Sequence, residues 1–365
     1  MKAKKNYLKI VCYSLAIASI SYNCNKNSPS EPDLTITDVN PGHGGVGISV
    51  TINGTGFNAS PAENSVFFNG KRATIIDASL SRLSVAVPPL AGSGNISLTT
   101  NGNTIVGPMF IYDTTYSAST FATGLNNPQY LTNDANGNLY VTNFGDGTVS
   151  KISGTGTVST FASGLNGTTG ITIDVDDNLY VATNNNNNLS TIVKIDPVGA
   201  VTDFASITGY IYDLVIDQEG NIYAANALYG TIHKISTNGT VTTYANGLGN
   251  ISGLAISNGS IYSTRADGSV FKRMPTGVVS LVHKFSFGFG GPNKIVVDKS
   301  ENLYLTIYLS STLSQSNSAT KINSKGVVST LVNGFNDPCG MIIDTFGNLY
   351  VVNSLGNSVS KVTVQ

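Results

Sequence analysis

The chain has 365 residues, enough for two domains, yet only 11% are charged and the net charge is −1. Gly, Asn, Ser and Thr take the place of charges, a mix that favours strands and tight turns over exposed helices. No basic stripe occurs, which argues against nucleic acid as a partner, and three cysteines leave no disulfide framework.

Lys2, Lys4, Lys5 and Lys9 precede an apolar stretch from Ile10 to Ile20. That stretch is too short to span a membrane and predicts a signal peptide over 1–23. Cys24 follows at once, and the pattern resembles a bacterial lipoprotein signal. The resemblance implies lipidation of Cys24 as the first mature residue, although Ser21, Tyr22 and Asn23 stand where that signal prefers an aliphatic and then small residues. The alternative is ordinary cleavage nearby. Residues 24–33, with Ser28-Pro29-Ser30-Glu31-Pro32, read as a tether. The expectation is an exported monomer: an outer-membrane or cell-surface lipoprotein that meets the membrane only through its lipid, or a secreted or periplasmic protein. With Cys12 in the leader and Cys24 at the anchor, Cys339 stands alone in the fold.

Residues 34–112 read as a small all-β sandwich. Ile48-Ser49-Val50-Thr51-Ile52 alternates apolar and polar residues, and Val66-Phe67-Phe68-Asn69-Gly70, Val85-Ala86-Val87-Pro88 and Gly94-Asn95-Ile96 follow at short intervals. Together with Pro41-Gly42 and Asn53-Gly54-Thr55-Gly56-Phe57, these segments resemble the IPT/TIG family of immunoglobulin-like domains. That family implies a spacer or adhesive module rather than an enzyme.

Residues 116–365 are a repeat. Asn-Leu-Tyr-Val or a close variant recurs around Tyr140, Tyr180, Tyr223, Tyr262, Tyr304 and Tyr350, at intervals of 39 to 46 residues. A period near 40 with four strand signals per unit predicts a six-bladed β-propeller. The last unit stops at its third strand, Ser358-Val359-Ser360-Lys361-Val362, and Ala118-Ser119-Thr120-Phe121-Ala122 stands ready before the first unit as the missing fourth. Pairing the two would close the ring and remove open edges. These units resemble NHL repeats and, more loosely, the SMP-30/gluconolactonase group. The fold expected is therefore all-β, an N-terminal immunoglobulin-like sandwich followed by a C-terminal six-bladed propeller.

Aligning the units on the Asp that ends each first strand assigns the top mouth of the central channel. One tier is Gln129, Thr169, Tyr212, Ser252, Asn293 and Cys339; the next is Tyr130, Gly170, Asp213, Gly253, Lys294 and Gly340. A third is Asn143, Thr183, Asn226, Arg265, Ile307 and Asn353. The candidate ligand-binding residues are Gln129, Asn143, Tyr212, Asp213, Asn226, Arg265, Phe287, Phe289, Asn293, Lys294 and Asn353. The two phenylalanines lie in Phe285-Ser286-Phe287-Gly288-Phe289-Gly290, a Gly-rich loop whose rings either stack on a sugar or peptide or tuck between blades.

The gluconolactonase resemblance implies a metal held at channel positions, one ligand standing in a Pro-Asp-Gly-Met pattern. Here the pattern is Pro338-Cys339-Gly340-Met341, and Asn293 alone matches a family Asn ligand. Ca²⁺ wants six to eight oxygens, so neither metal, cofactor nor catalytic residue is expected. His233 and His283 fall in outer-strand patterns, away from any nucleophile. The Asp174-Val175-Asp176-Asp177-Asn178 cluster lacks the Gly and distal Glu of a calcium loop and reads as a hairpin turn. Three functions are weighed: a binding protein whose propeller grips a glycan, peptide or protein partner; a metal-dependent hydrolase or lactonase; and a structural surface component.

Overall fold

The computed structural model describes residues 32–185, 187–286, 290–309 and 317–364. The expected signal peptide, Cys24, Phe287 and Phe289 lie outside the described residues. Apart from one 3₁₀ turn at Pro61–Glu63, the regular elements are strands, and no helix among the described residues is long and apolar enough to cross a membrane.

The first unit is a two-sheet sandwich. Thr35–Asn40, Ser49–Thr55, Arg82–Ala86 and Thr74–Ala78 form one sheet in that spatial order. His43–Gly44, Asn103–Tyr112, Gly94–Thr100, Asn64–Phe68 and Lys71–Arg72 form the other. The alternation visible in the sequence places Val50, Ile52, Leu83 and Val85 of the first sheet against Val66, Phe68, Ile96 and Leu98 of the second, all fully buried. Phe68 and Phe110 meet edge to face at 4.8 Å. Gly54 admits no side chain, because a Cβ there would lie 1.9 Å from the Thr35 carbonyl oxygen.

The sandwich ends at Tyr112, and the first propeller strand begins at Tyr116. Six four-stranded antiparallel sheets follow. Their innermost strands are Pro128–Asn133, Thr168–Ile173, Ile211–Ile216, Ile251–Ser257, Gly291–Val297 and Pro338–Ile343, here the first strands of blades 1 to 6. The outermost strand of blade 6 is Tyr116–Thr123. It pairs with Ser358–Val364 from Tyr116↔Val364 to Thr123↔Ser358, so the ring closes through both ends of the repeat.

Five of the six blade hairpins are held by the same chemistry. In blade 2, Asp174 accepts hydrogen bonds from the backbone of Asp176 and Asn178, at 2.9 Å each, from the Asn178 amide and from the Tyr180 hydroxyl. The acidic cluster is thus an Asx turn, and the repeated tyrosine is a core residue whose hydroxyl reaches the turn. In every blade a third-strand lysine lies over that tyrosine ring: Lys151, Lys194, Lys234, Lys272, Lys321 and Lys361, at 5.1 to 5.7 Å. Blade 4 has Ser257 in place of the Asp. Its hairpin turns on Asn258-Gly259, both with positive φ, a two-residue turn that needs no Asp.

Candidate functional site

The first strands place one residue each at the channel axis: Tyr130, Gly170, Asp213, Gly253, Lys294 and Gly340. Large and absent side chains alternate around the ring. A Cβ on Gly170 would meet Asp213 at 2.7 Å, one on Gly253 the Asn293 carbonyl oxygen at 2.4 Å, and one on Gly340 the Cα of Tyr130 at 2.7 Å. The three glycines therefore let neighbouring strands approach, and three long side chains fill the space they leave.

Those side chains seal the channel. The Tyr130 hydroxyl crosses it to donate to the Ser252 carbonyl oxygen at 2.9 Å. Lys294 Nζ meets Asp213 Oδ2 at 2.5 Å and the Leu254 carbonyl at 3.0 Å, and lies over the Tyr130 ring. Asp213 also accepts the backbone N–H groups of Leu214 and Leu254. Exposure is 2% at Tyr130, 0% at Asp213 and 6% at Lys294. Burial pushes the Asp213 carboxyl up, while Lys294 and the two N–H groups pull against it. Below this layer a vestibule of about 400 Å³, lined in part by Thr132, Thr172, Val215, Ala255 and Ile342, opens at the opposite face.

These residues do not fit the divalent metal that the gluconolactonase resemblance implies. The one carboxylate on the axis is already satisfied by an ammonium and two N–H groups, and the Asn293 side-chain oxygen Oδ1 accepts from the Tyr130 hydroxyl at 3.4 Å. The Cys339 thiol is buried and pushed up to about 12, chiefly by desolvation, and so is neutral. Among the described residues no group of three His, Cys, Asp or Glu side chains converges. His233 sits in the third strand of blade 3, within 3.4 Å of the Asn226 amide, and burial lowers its pKa.

The structure corrects most of the expected rim. Asn143, Asn226 and Asn353 are buried rather than presented at the mouth. Asn143 donates to Thr148 and Ser150, and Asn353 to Ser358 and Ser360, so they tie second strands to third strands. Asn226 donates to the Thr208 carbonyl. Asp213 and Lys294 are spent on each other. Arg265 stacks on Phe271 at 4.1 Å, within its own blade. Gln129 is half-buried and donates to Asn127 and Ser354. Of the expected residues among those described, Tyr212 alone lies exposed in an open groove.

That groove, of about 740 Å³, lies at the top between blades 2, 3 and 4 and is lined by Asn188, Tyr210, Tyr212, Ala227, Leu228, Tyr229, Gly230, Gly249 and Asn250. The exposures of Tyr212, Leu228 and Tyr229 are 38%, 58% and 53%, high for side chains of this size. Tyr210 and Tyr212 meet with ring centroids 5.2 Å apart, and the Asn188 amide of blade 2 donates to the Tyr229 hydroxyl of blade 3 at 2.9 Å. Sequence reasoning singled out Tyr212 but passed over Tyr210, Tyr229 and Asn250. The signal was a break in the repeat: where Tyr210 stands, the other units have Asn127, Gly167, Asn250, Gly291 and Asp337. A cleft of about 590 Å³ at the bottom, between Leu90 and blades 5 and 6, contains Asp298 and Asp344. Both carboxylates are committed to their own Asx turns.

The comparisons with known proteins agree with this architecture. Residues 34–121 match the IPT/TIG domain model. No curated protein sequence matches the chain. Among solved structures, a protein of unknown function from Bacteroides thetaiotaomicron is similar at 17% identity and TM-score 0.59, covering 92% of this chain and 99% of its own. An auxiliary nutrient binding protein from the same species is similar at 16% identity and TM-score 0.55, covering 92% and 98%. A gluconolactonase from Xanthomonas campestris is similar at 14% identity and TM-score 0.57, covering 68% and 90%. Residues 34–121 thus carry the IPT/TIG match, and the repeat that follows folds as a six-bladed β-propeller. At these identities the structural likeness establishes the fold alone.

Proposed function

We propose that this is an exported binding protein, tethered through Cys24, whose propeller presents the tyrosine groove on its top face to a ligand outside the membrane. The observation that carries the reading is the contrast between the two places where a propeller can work. The channel is filled by Tyr130, Asp213 and Lys294, whereas the groove is open and carries Tyr210 where the other units have Asn, Gly or Asp. Large exposed aromatic side chains gathered in one concavity are the usual anchors of recognition. The likeness to an auxiliary nutrient binding protein supports the same reading. The likeness to a gluconolactonase favours the hydrolase alternative less, because the axial carboxylate here holds a lysine.

The test is a binding screen of the whole chain downstream of its leader against glycan and peptide arrays. The screen is repeated with Tyr212→Ala and, as a channel control, Ser252→Ala. Retention of one ligand by the wild type and the control, with at least tenfold weaker binding by Tyr212→Ala at an unchanged melting temperature, is expected. Ligands that bind equally to all three chains would place recognition elsewhere and overturn the groove assignment.

A further inference from the structure

Resting on that reading of the groove, we infer that its ligand is a neutral carbohydrate, with the tyrosine rings as stacking platforms and the side-chain amides of Asn188 and Asn250 as partners for its hydroxyl groups. None of the nine lining residues carries a charge. An anionic sugar, a phosphate ester or a charged peptide would leave water for a surface with no counter-charge. What the groove offers is aromatic surface edged by phenols and amides. Pyranose rings have the matching character, an apolar C–H face bordered by hydroxyls that both donate and accept. An amide likewise both donates and accepts, so each Asn can address two neighbouring hydroxyls.

A peptide is the competing occupant, and the backbone of the groove argues against it. Peptides gain much of their affinity from main-chain hydrogen bonds to unpaired backbone groups. Here the lining carbonyls of Asn188, Tyr210, Gly230 and Asn250 and the Ala227 N–H are already committed within the protein. Gly209 N–H donates to Asn188, Ala227 N–H to Tyr210, Leu248 N–H to Gly230 and Ala266 N–H to Asn250, at 2.9 to 3.1 Å. Side chains remain the means of recognition. The same bonds fix the four loops relative to each other, and the Asn188–Tyr229 bond orients one platform in advance of binding. Gly249 would meet nothing within 4 Å if it bore a Cβ, so open space adjoins the backbone there.

Calorimetric titration of the whole chain downstream of its leader tests this. The probes are neutral gluco-, manno-, xylo- and galacto-configured oligosaccharides, with an oligogalacturonate and a proline-rich peptide beside them. Saturable binding of one neutral series is expected. It should weaken at least tenfold in Tyr212→Ala and in Tyr229→Ala, and only a fewfold in Tyr229→Phe, which keeps the ring and loses the bond to Asn188. Thermal melting of each variant separates loss of the site from loss of the fold. Saturation by the peptide or the oligogalacturonate, with no response to the neutral series, would overturn the carbohydrate assignment and leave the binding role standing. Silence from every probe here and on the arrays would overturn both.

Discussion

Lys294 and Asp213 sit together where the six first strands converge, and the water that would otherwise solvate them is replaced by Tyr130 and backbone. A buried pair of this kind adds little net stability, but removing one partner strands the other. Lys294→Met should therefore cost about 3–5 kcal/mol in urea unfolding, and the double variant Asp213→Leu/Lys294→Met should recover most of that. Equal losses in the two chains would show that packing rather than the ion pair is at stake. The sequence expected both residues at the mouth of the central channel, because the alignment of repeats fixes which side of a strand a residue occupies. It did not show that they close the channel. That depends on reach across a radius set by the glycines between them, and single-residue patterns carry no information about such a distance. Tyr212, on the first strand of blade 3, entered the list through the same alignment, next to Asp213.

The blade is built from a local device, the Asx turn joined to its tyrosine, and that device was largely readable. Asp, a turn, Asn and Tyr lie within seven residues, so their contacts follow from hairpin geometry alone. The lysine over each tyrosine was missed because the two residues lie on neighbouring strands and meet only through register. In blade 5, burial would raise the Asp298 carboxyl, but hydrogen bonds from Asn302, Ser300 and Tyr304 outweigh it and hold it below its ordinary value of 3.8. A carboxyl depressed in the folded state contributes fully above its unfolded pKa and loses that contribution as pH falls through the folded one. Asp298→Ala should lower stability at pH 7 by about 1–3 kcal/mol, the cost of orphaning its donors. The difference from wild type should shrink on acidification below pH ~4. Urea midpoints across that range give the answer, and a difference that does not change with pH would remove the carboxylate from the account.

The whole propeller depends on a strand borrowed across the full length of the repeat. The sequence showed this through phasing, a last unit one strand short and a spare strand upstream, and the pairing of Tyr116–Thr123 with Ser358–Val364 bears it out. Closure makes each blade a neighbour of two others, unlike an open array whose end units fray independently. A chain ending at Gly356 should thus lose amide-exchange protection in blades 1 and 5 as well as in blade 6. Protection retained in blades 1 to 5 would mean that the ring is not the cooperative unit.

The same seam decides how the molecule bears force. Only Asp113, Thr114 and Thr115 separate the sandwich from the closing strand, so tension applied through the sandwich enters the propeller at Tyr116. Pulled along its axis, that strand loads its seven paired positions together, in shear, rather than peeling them one at a time. Force of that kind is thereby met at the seam of the ring in the direction in which paired strands resist best.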